Sequence, residues 1–173
     1  MRSLLPAAAV AAVVAVAVLT LVPVAAANPS RVLASDACSP SFNVLFNDPT
    51  ICNRDGGTPV DVFLQQLGQN KFAGAWHFSP PHLNVNAGDS LTVDNRGGET
   101  HTFTEVSQFG GGGIVPPLNQ ILFGTPNPPL FFDPNNVTFI PAGGQETITL
   151  STPGTHLFIC AIHPWMEDMV VVG

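Results

Sequence analysis

The chain divides by its pattern of apolar and polar positions into three stretches. Residues 1–27 open with Arg2, continue as an Ala/Val/Leu run and close on Ala25-Ala26-Ala27. This is the arrangement of a secretory signal with small residues at its cleavage site, and cleavage is expected after Ala27. The run approaches the ~20 residues that span a bilayer, so an uncleaved anchor is the alternative; in both cases Arg2 stays inside and the remainder is exported. Residues 28–70 read as an N-terminal extension. Its first part, around Cys38 and Cys52, is rich in Asn, Asp, Pro and Gly, after which Val60, Phe63, Leu64 and Leu67 recur at helical spacing. Thr58 is placed to cap that helix, Pro59 to take its first position and Gly68 to stop it. Its apolar stripe is expected to pack on the main domain.

Over residues 71–173 the period changes to two. Trp76-His77-Phe78 precedes the turn Ser79-Pro80-Pro81, and Leu83, Val85, Leu91 and Val93 alternate with polar residues around Ala87-Gly88-Asp89. His101 to Val106 alternates in the same way. Residues 108–134 read as a long loop, which in a compact domain usually serves function or is disordered. Strand patterns return at 137–140, 146–150, 156–160 and 169–172. About seven short strands with frequent turns predict an all-β domain, a Greek-key β-sandwich preceded by the short helical and disulfide extension. The 16 glycines and 17 prolines suit that reading, and 173 residues hold one ordinary domain plus an N-terminal addition.

Charge narrows the partners. Cleavage would remove one of the five basic residues, Arg2, and none of the twelve acidic ones, taking the net charge from −7 to −8. Nucleic acid, whose phosphates need Lys and Arg, is thereby disfavoured, and a basic protein partner is favoured through electrostatic steering. A membrane partner is expected only if residues 1–27 remain attached. In an oxidising compartment the close pair Cys38 and Cys52 is expected to form a disulfide, which leaves Cys160 as an odd thiol.

Cys160 has an explanation in its neighbours. In Phe158-Ile159-Cys160-Ala161-Ile162-His163-Pro164-Trp165-Met166 the Cys, His and Met stand three apart directly after an apolar strand, so one tight loop can gather all three side chains. A thiolate, imidazoles and a weak axial thioether suit copper in the trigonal geometry of electron-transfer sites. Zinc accepts the thiolate and the imidazoles but rarely a thioether. The best candidate for a second imidazole is His101, which begins a strand after the Asn95-Arg96-Gly97-Gly98 turn. His156 precedes Cys160 by four strand residues, about 13 Å, too far to share an ion without a bend. His77, His82 and His156 are therefore read as structural or surface residues.

On these residues the chain from about Trp76 to Gly173 resembles a cupredoxin, with a ligand loop similar to the amicyanin and plastocyanin branch. Leu83-Asn84-Val85 with Gly88-Asp89, Asn95 six residues before His101, Gly154-Thr155-His156-Leu157-Phe158 before Cys160, and the short Cys-x-x-His-x-x-Met loop carry the resemblance. It implies one type 1 (blue) copper held by His101, Cys160, His163 and Met166, with Met166 axial. It also implies a monomeric carrier of single electrons between redox partners rather than an enzyme. Two positions depart from the family pattern: Thr102 replaces the usual Asn after the first His, and Ala161 replaces a hydroxyl residue after the Cys. His163, beside Pro164 and Trp165, is the expected exposed edge for electron transfer, and Trp165 either lines that patch or excludes water.

Other classes fit less well. A copper oxidase or nitrite reductase needs further histidines, such as His-x-His pairs, and none is present. A copper storage or delivery protein of the same fold is the alternative. Gly110 to Gly113 is not a phosphate loop, since no Lys-Ser/Thr follows. Asn136-Val137-Thr138 is a glycosylation sequon that has meaning only in a eukaryote.

Overall fold

The computed structural model describes residues 30–173, so the signal or anchor reading of residues 1–27 lies outside the described residues. Two four-stranded sheets face each other. The first takes the order β2-β1-β4-β8, from β1 (Ser30–Ser35), β2 (His77–Ser79), β4 (Ser90–Asn95) and β8 (Gln145–Thr149). The second takes the order β3-β10-β9-β6, from β3 (His82–Val85), β6 (Thr104–Val106), β9 (Gly154–Ile159) and β10 (Glu167–Val172). β5 (His101–Thr102) and β7 (Phe139–Ile140) form a separate short pair. β1 runs parallel to β4 and β3 parallel to β10; the other pairings are antiparallel. The expected all-β sandwich is the architecture observed.

Alternation explains the sandwich. Val32 and Ala34 on β1, Leu91 and Val93 on β4, and Val170 and Val172 on β10 sit two apart, and all are buried. Period-two spacing puts such residues on one face of their strand, so each sheet presents an apolar face to the other. Burying a Val or Leu side chain contributes about 1.5–3 kcal/mol. Phe103 and Phe158 stack at 4.2 Å between ring centroids, with Phe78 edge-on to Phe103 at 5.1 Å.

The segment read as an N-terminal extension supplies a strand of the sandwich itself. β1 lies between β2 and β4, inside the first sheet. The sequence pattern missed it because Ser-Arg-Val-Leu-Ala-Ser offers only two buried positions beside an exposed Arg. Its pairing on both edges, rather than its composition, holds it.

The helices correct the sequence reading. α1 (Pro40–Phe46) occupies part of the Cys38/Cys52 loop and buries Phe42. α2 (Val60–Asn70) matches the apolar stripe, with Phe63 and Leu67 buried, but Pro59 is its N-cap rather than its first helical residue. The Val60 N–H is satisfied by the Ser41 hydroxyl of α1 at 2.9 Å, a tertiary cap in place of Thr58. Gly68 is exposed and does not stop the helix, which runs on to Asn70 and ends on Lys71 at φ 65°. α3 (Pro116–Phe123) lies within the stretch read as a loop. Its paired prolines fall in the first turn, where a missing N–H costs nothing, and Gly124 at φ 75° ends it.

Candidate metal centre

Three elements converge at one end of the sandwich. The alternating run 101–106 breaks at Phe103: β5 pairs with β7, whereas β6 pairs with β9. This break leaves His101 beside the end of β9, where the chain enters the loop from Cys160 to Met166. Two backbone bonds close that loop, from Cys160 N–H to the Met166 carbonyl at 3.0 Å and from Met166 N–H to the His163 carbonyl at 2.9 Å.

The resulting geometry brings the donor atoms of His101, Cys160 and His163 together. His101 Nδ1 lies 3.7 Å and His163 Nδ1 3.6 Å from Cys160 Sγ. All three side chains are buried, and Met166, on the same loop, is buried with them. Bonds of about 2.3 Å to sulfur and about 2.0 Å to nitrogen, at angles between tetrahedral and trigonal, separate such donors by about 3.5–3.7 Å. The donor set therefore fits one small transition-metal ion. His77 and His82 are exposed and His156 points elsewhere, bonding Glu105 and the Thr152 carbonyl, as their structural or surface reading expected.

Electrostatics favour a thiolate. Burial alone would raise the Cys160 pKa, but hydrogen bonds and charge from His101 and His163 outweigh it and hold the thiol well below its ordinary value of 9.0. Burial likewise works against a charged His101, yet Asp36 and Cys160 raise it to about 9. The Thr102 N–H donates to Cys160 Sγ at 3.4 Å. The Thr102 hydroxyl accepts from the Ala161 N–H at 2.7 Å and from Thr104 Oγ1 at 3.0 Å. Thus the residue that departs from the family pattern ties β5 to the ligand loop, through its own hydroxyl.

The far side of each imidazole meets a buried carboxylate. His101 Nε2 lies 2.9 Å from Asp36 Oδ2, and both side chains are fully enclosed. His163 Nε2 lies 3.6 Å from Glu99 Oε2, which accepts the Trp76 indole N–H. Burial pushes Asp36 upward, but hydrogen bonds from His101 and from the backbone of Glu99, Cys38 and Gly98 prevail and leave it lowered. For Glu99 burial prevails, and its carboxyl is raised despite His163 and Trp76.

The expectation that His163 forms an exposed edge is corrected, because His163 is only 3% exposed. Glu99 and Trp165 cover it, the latter at 5.3 Å between rings. Behind Trp165 stand Phe63, Trp76 and Phe42 in successive ring contacts. These backing rings come from α1, α2 and the residue before β2. Sequence reasoning also missed Asp36 and Glu99. Glu99, two residues before His101, carried a weak positional hint; Asp36, 65 residues away from its partner, carried none.

The Cys38–Cys52 disulfide expected from the sequence is present, with Cα atoms 5.9 Å apart. It sits beside Asp36, whose Oδ1 accepts the Cys38 N–H at 2.9 Å. The long stretch after β6 also touches the ligand loop, since the Ile114 N–H donates to the Ala161 carbonyl at 2.7 Å. A Cβ on Gly113 would stand 2.3 Å from that carbonyl, so this approach requires glycine.

No family model matches the chain, and no curated protein matches it. Among solved structures it is similar to a purple cupredoxin from Nitrosopumilus maritimus, at 14% identity over 83% of this chain and 99% of that one, TM-score 0.43. It is similar to the oxidised form of plastocyanin from Dryopteris crassirhizoma, at 17% identity over 83% of this chain and 100% of that one, TM-score 0.43. It is also similar to a Cu(I) amicyanin variant, at 21% identity over 56% of this chain and 73% of that one, TM-score 0.37.

Proposed function

We propose that the protein is an exported type 1 copper protein that carries single electrons between redox partners, with His101, Cys160, His163 and Met166 as the ligands. The observation that carries this reading is the buried meeting of one thiolate-prone sulfur with two imidazole Nδ1 atoms 3.6 and 3.7 Å away. Bound copper would supply a one-electron couple. Cys160 would offer the thiolate, His101 and His163 the imidazole nitrogens and Met166 a weaker thioether, a donor set that suits copper.

The remaining work falls to the chain. Two backbone bonds, the Thr102 clasp and the buried carboxylates hold the ligand side chains in place, so little need move when charge changes. This fixity favours a carrier over a labile delivery site. The aromatic residues around His163 exclude water, and Trp165, partly exposed, is the ring through which electrons would pass to a docked partner. The net charge of −7 suits a basic partner. The Cys38–Cys52 bond suits an oxidising compartment.

The visible spectrum of the oxidised, Cu(II)-loaded protein tests the reading. An intense thiolate-to-copper band is expected, and Cys160→Ala should abolish it. A variant that kept the band would refute the assignment of Cys160. Rapid copper exchange from a colourless wild-type site would favour delivery instead.

A further inference from the structure

Resting on the copper reading above, we propose that Asp36 is a positioning residue of the site, turning His101 Nδ1 toward Cys160 and placing behind that ring a fixed negative charge that favours the oxidised ion.

The first ground is geometry. An imidazole can present either nitrogen to an ion, and a flip of the ring would exchange them. His101 Nε2 donates to Asp36 Oδ2 at 2.9 Å, which leaves Nδ1 facing the sulfur. A carboxylate that accepts the remaining N–H of a ligand imidazole fixes its tautomer and orientation and raises its basicity.

The second ground is that Asp36 itself is locked. Its Oδ1 accepts the Cys38 N–H at 2.9 Å and its Oδ2 also accepts the Glu99 N–H at 3.0 Å. The Arg54 guanidinium donates to its backbone carbonyl, and the Thr58 N–H reaches the next carbonyl, of Ala37, at 2.6 Å. The turn before β5 closes over it so tightly that a Cβ on Gly97 would lie 1.8 Å from Oδ2. Asn53 ties the disulfide loop to the same turn, its N–H donating to the Gly98 carbonyl at 2.8 Å. The cage is therefore built from both covalent and hydrogen-bonded constraints and admits no water between Asp36 and His101.

Asp36, Cys38 and Glu99 do place possible ligand atoms close together. They make no second metal site, because Cys38 is spent in the disulfide and the Asp36 oxygens already accept three N–H groups.

Two measurements test the proposal. In the metal-free full-length protein, nitrogen-resolved NMR should find a slowly exchanging proton on His101 Nε2, and Asp36→Asn should lose that slow exchange. An unprotonated Nε2 would overturn the orienting role. In the Cu(II)-loaded protein, Asp36→Asn should weaken Cu(II) binding about tenfold or more while leaving Cu(I) binding little changed. For a one-electron couple that tenfold change raises the reduction potential by about 59 mV. An unchanged potential in a variant that binds copper would overturn the electrostatic role. Should Asp36→Asn fail to fold, the wild-type proton measurement at His101 Nε2 still decides the orienting role. A wild type that takes no copper defeats the metal reading, whereas the NMR result bears on Asp36 alone.

Discussion

Two His–carboxylate pairs of near-equal length occupy different surroundings. His101 and Asp36 meet at 2.9 Å with both side chains fully enclosed, whereas His156 and Glu105 meet at 2.7 Å with 14% and 56% of their side chains exposed. Chemistry and distance alone would rank them together. Water separates them: at the exposed pair it screens the charges and stands ready to replace either partner. At the enclosed pair nothing can replace Asp36, and removing it strands several donors at once.

The largest test of this contrast is truncation. Asp36→Ala should destabilise the protein by about 3–5 kcal/mol, the usual cost of breaking a buried pair. Glu105→Ala should cost less than about 1 kcal/mol. Urea unfolding of the metal-free variants measures both, and equal losses would break the contrast. Next in size is the disulfide, which closes the loop beside Asp36 across a sequence separation of 14. Replacing Cys38 and Cys52 together by Ser should cost about 3 kcal/mol through the freed chain and should lower copper affinity, while the His156 pair stays intact. The smallest effect concerns pH. His156 is raised above 6.5, first by the Thr152 carbonyl and then by Glu105, since a ring that donates from both nitrogens favours its protonated form. Its folded value exceeds the unfolded one. The stabilisation is therefore fully present below about pH 6.5 and is lost as pH rises through the raised value. Wild type should exceed His156→Gln slightly in stability at acid pH and converge with it at alkaline pH.

The same contrast governs what the sequence could disclose. Alternation around Leu91, Val93, Val170 and Val172 announces strands, because burial on one face imposes period two wherever a sheet has a core side. Cys160, His163 and Met166 lie within seven consecutive residues, so a loop brings them together without long-range information. β1 and α3 escaped notice. The strand is held by partners on both edges and the helix by its packing on α2 and the bonds of Asn119 to Gly113 and Pro126, and neither leaves a strong local period. Asp36 and Glu99 escaped for a different cause: an acidic residue in a polar segment is ordinarily solvated, and only packing reveals otherwise.

By itself, then, the sequence determined the sandwich, the short loop that carries Cys160, His163 and Met166, and the pairing of Cys38 with Cys52. Each follows from local spacing or from a count of residue types. Tertiary structure alone decided that the Asp36-bearing segment enters the first sheet's end of the site, that both imidazoles are backed by carboxylates, and that His163 is covered rather than exposed. Those outcomes depend on contacts between residues tens of positions apart, whose energies come from shared burial and leave no periodic trace along the chain.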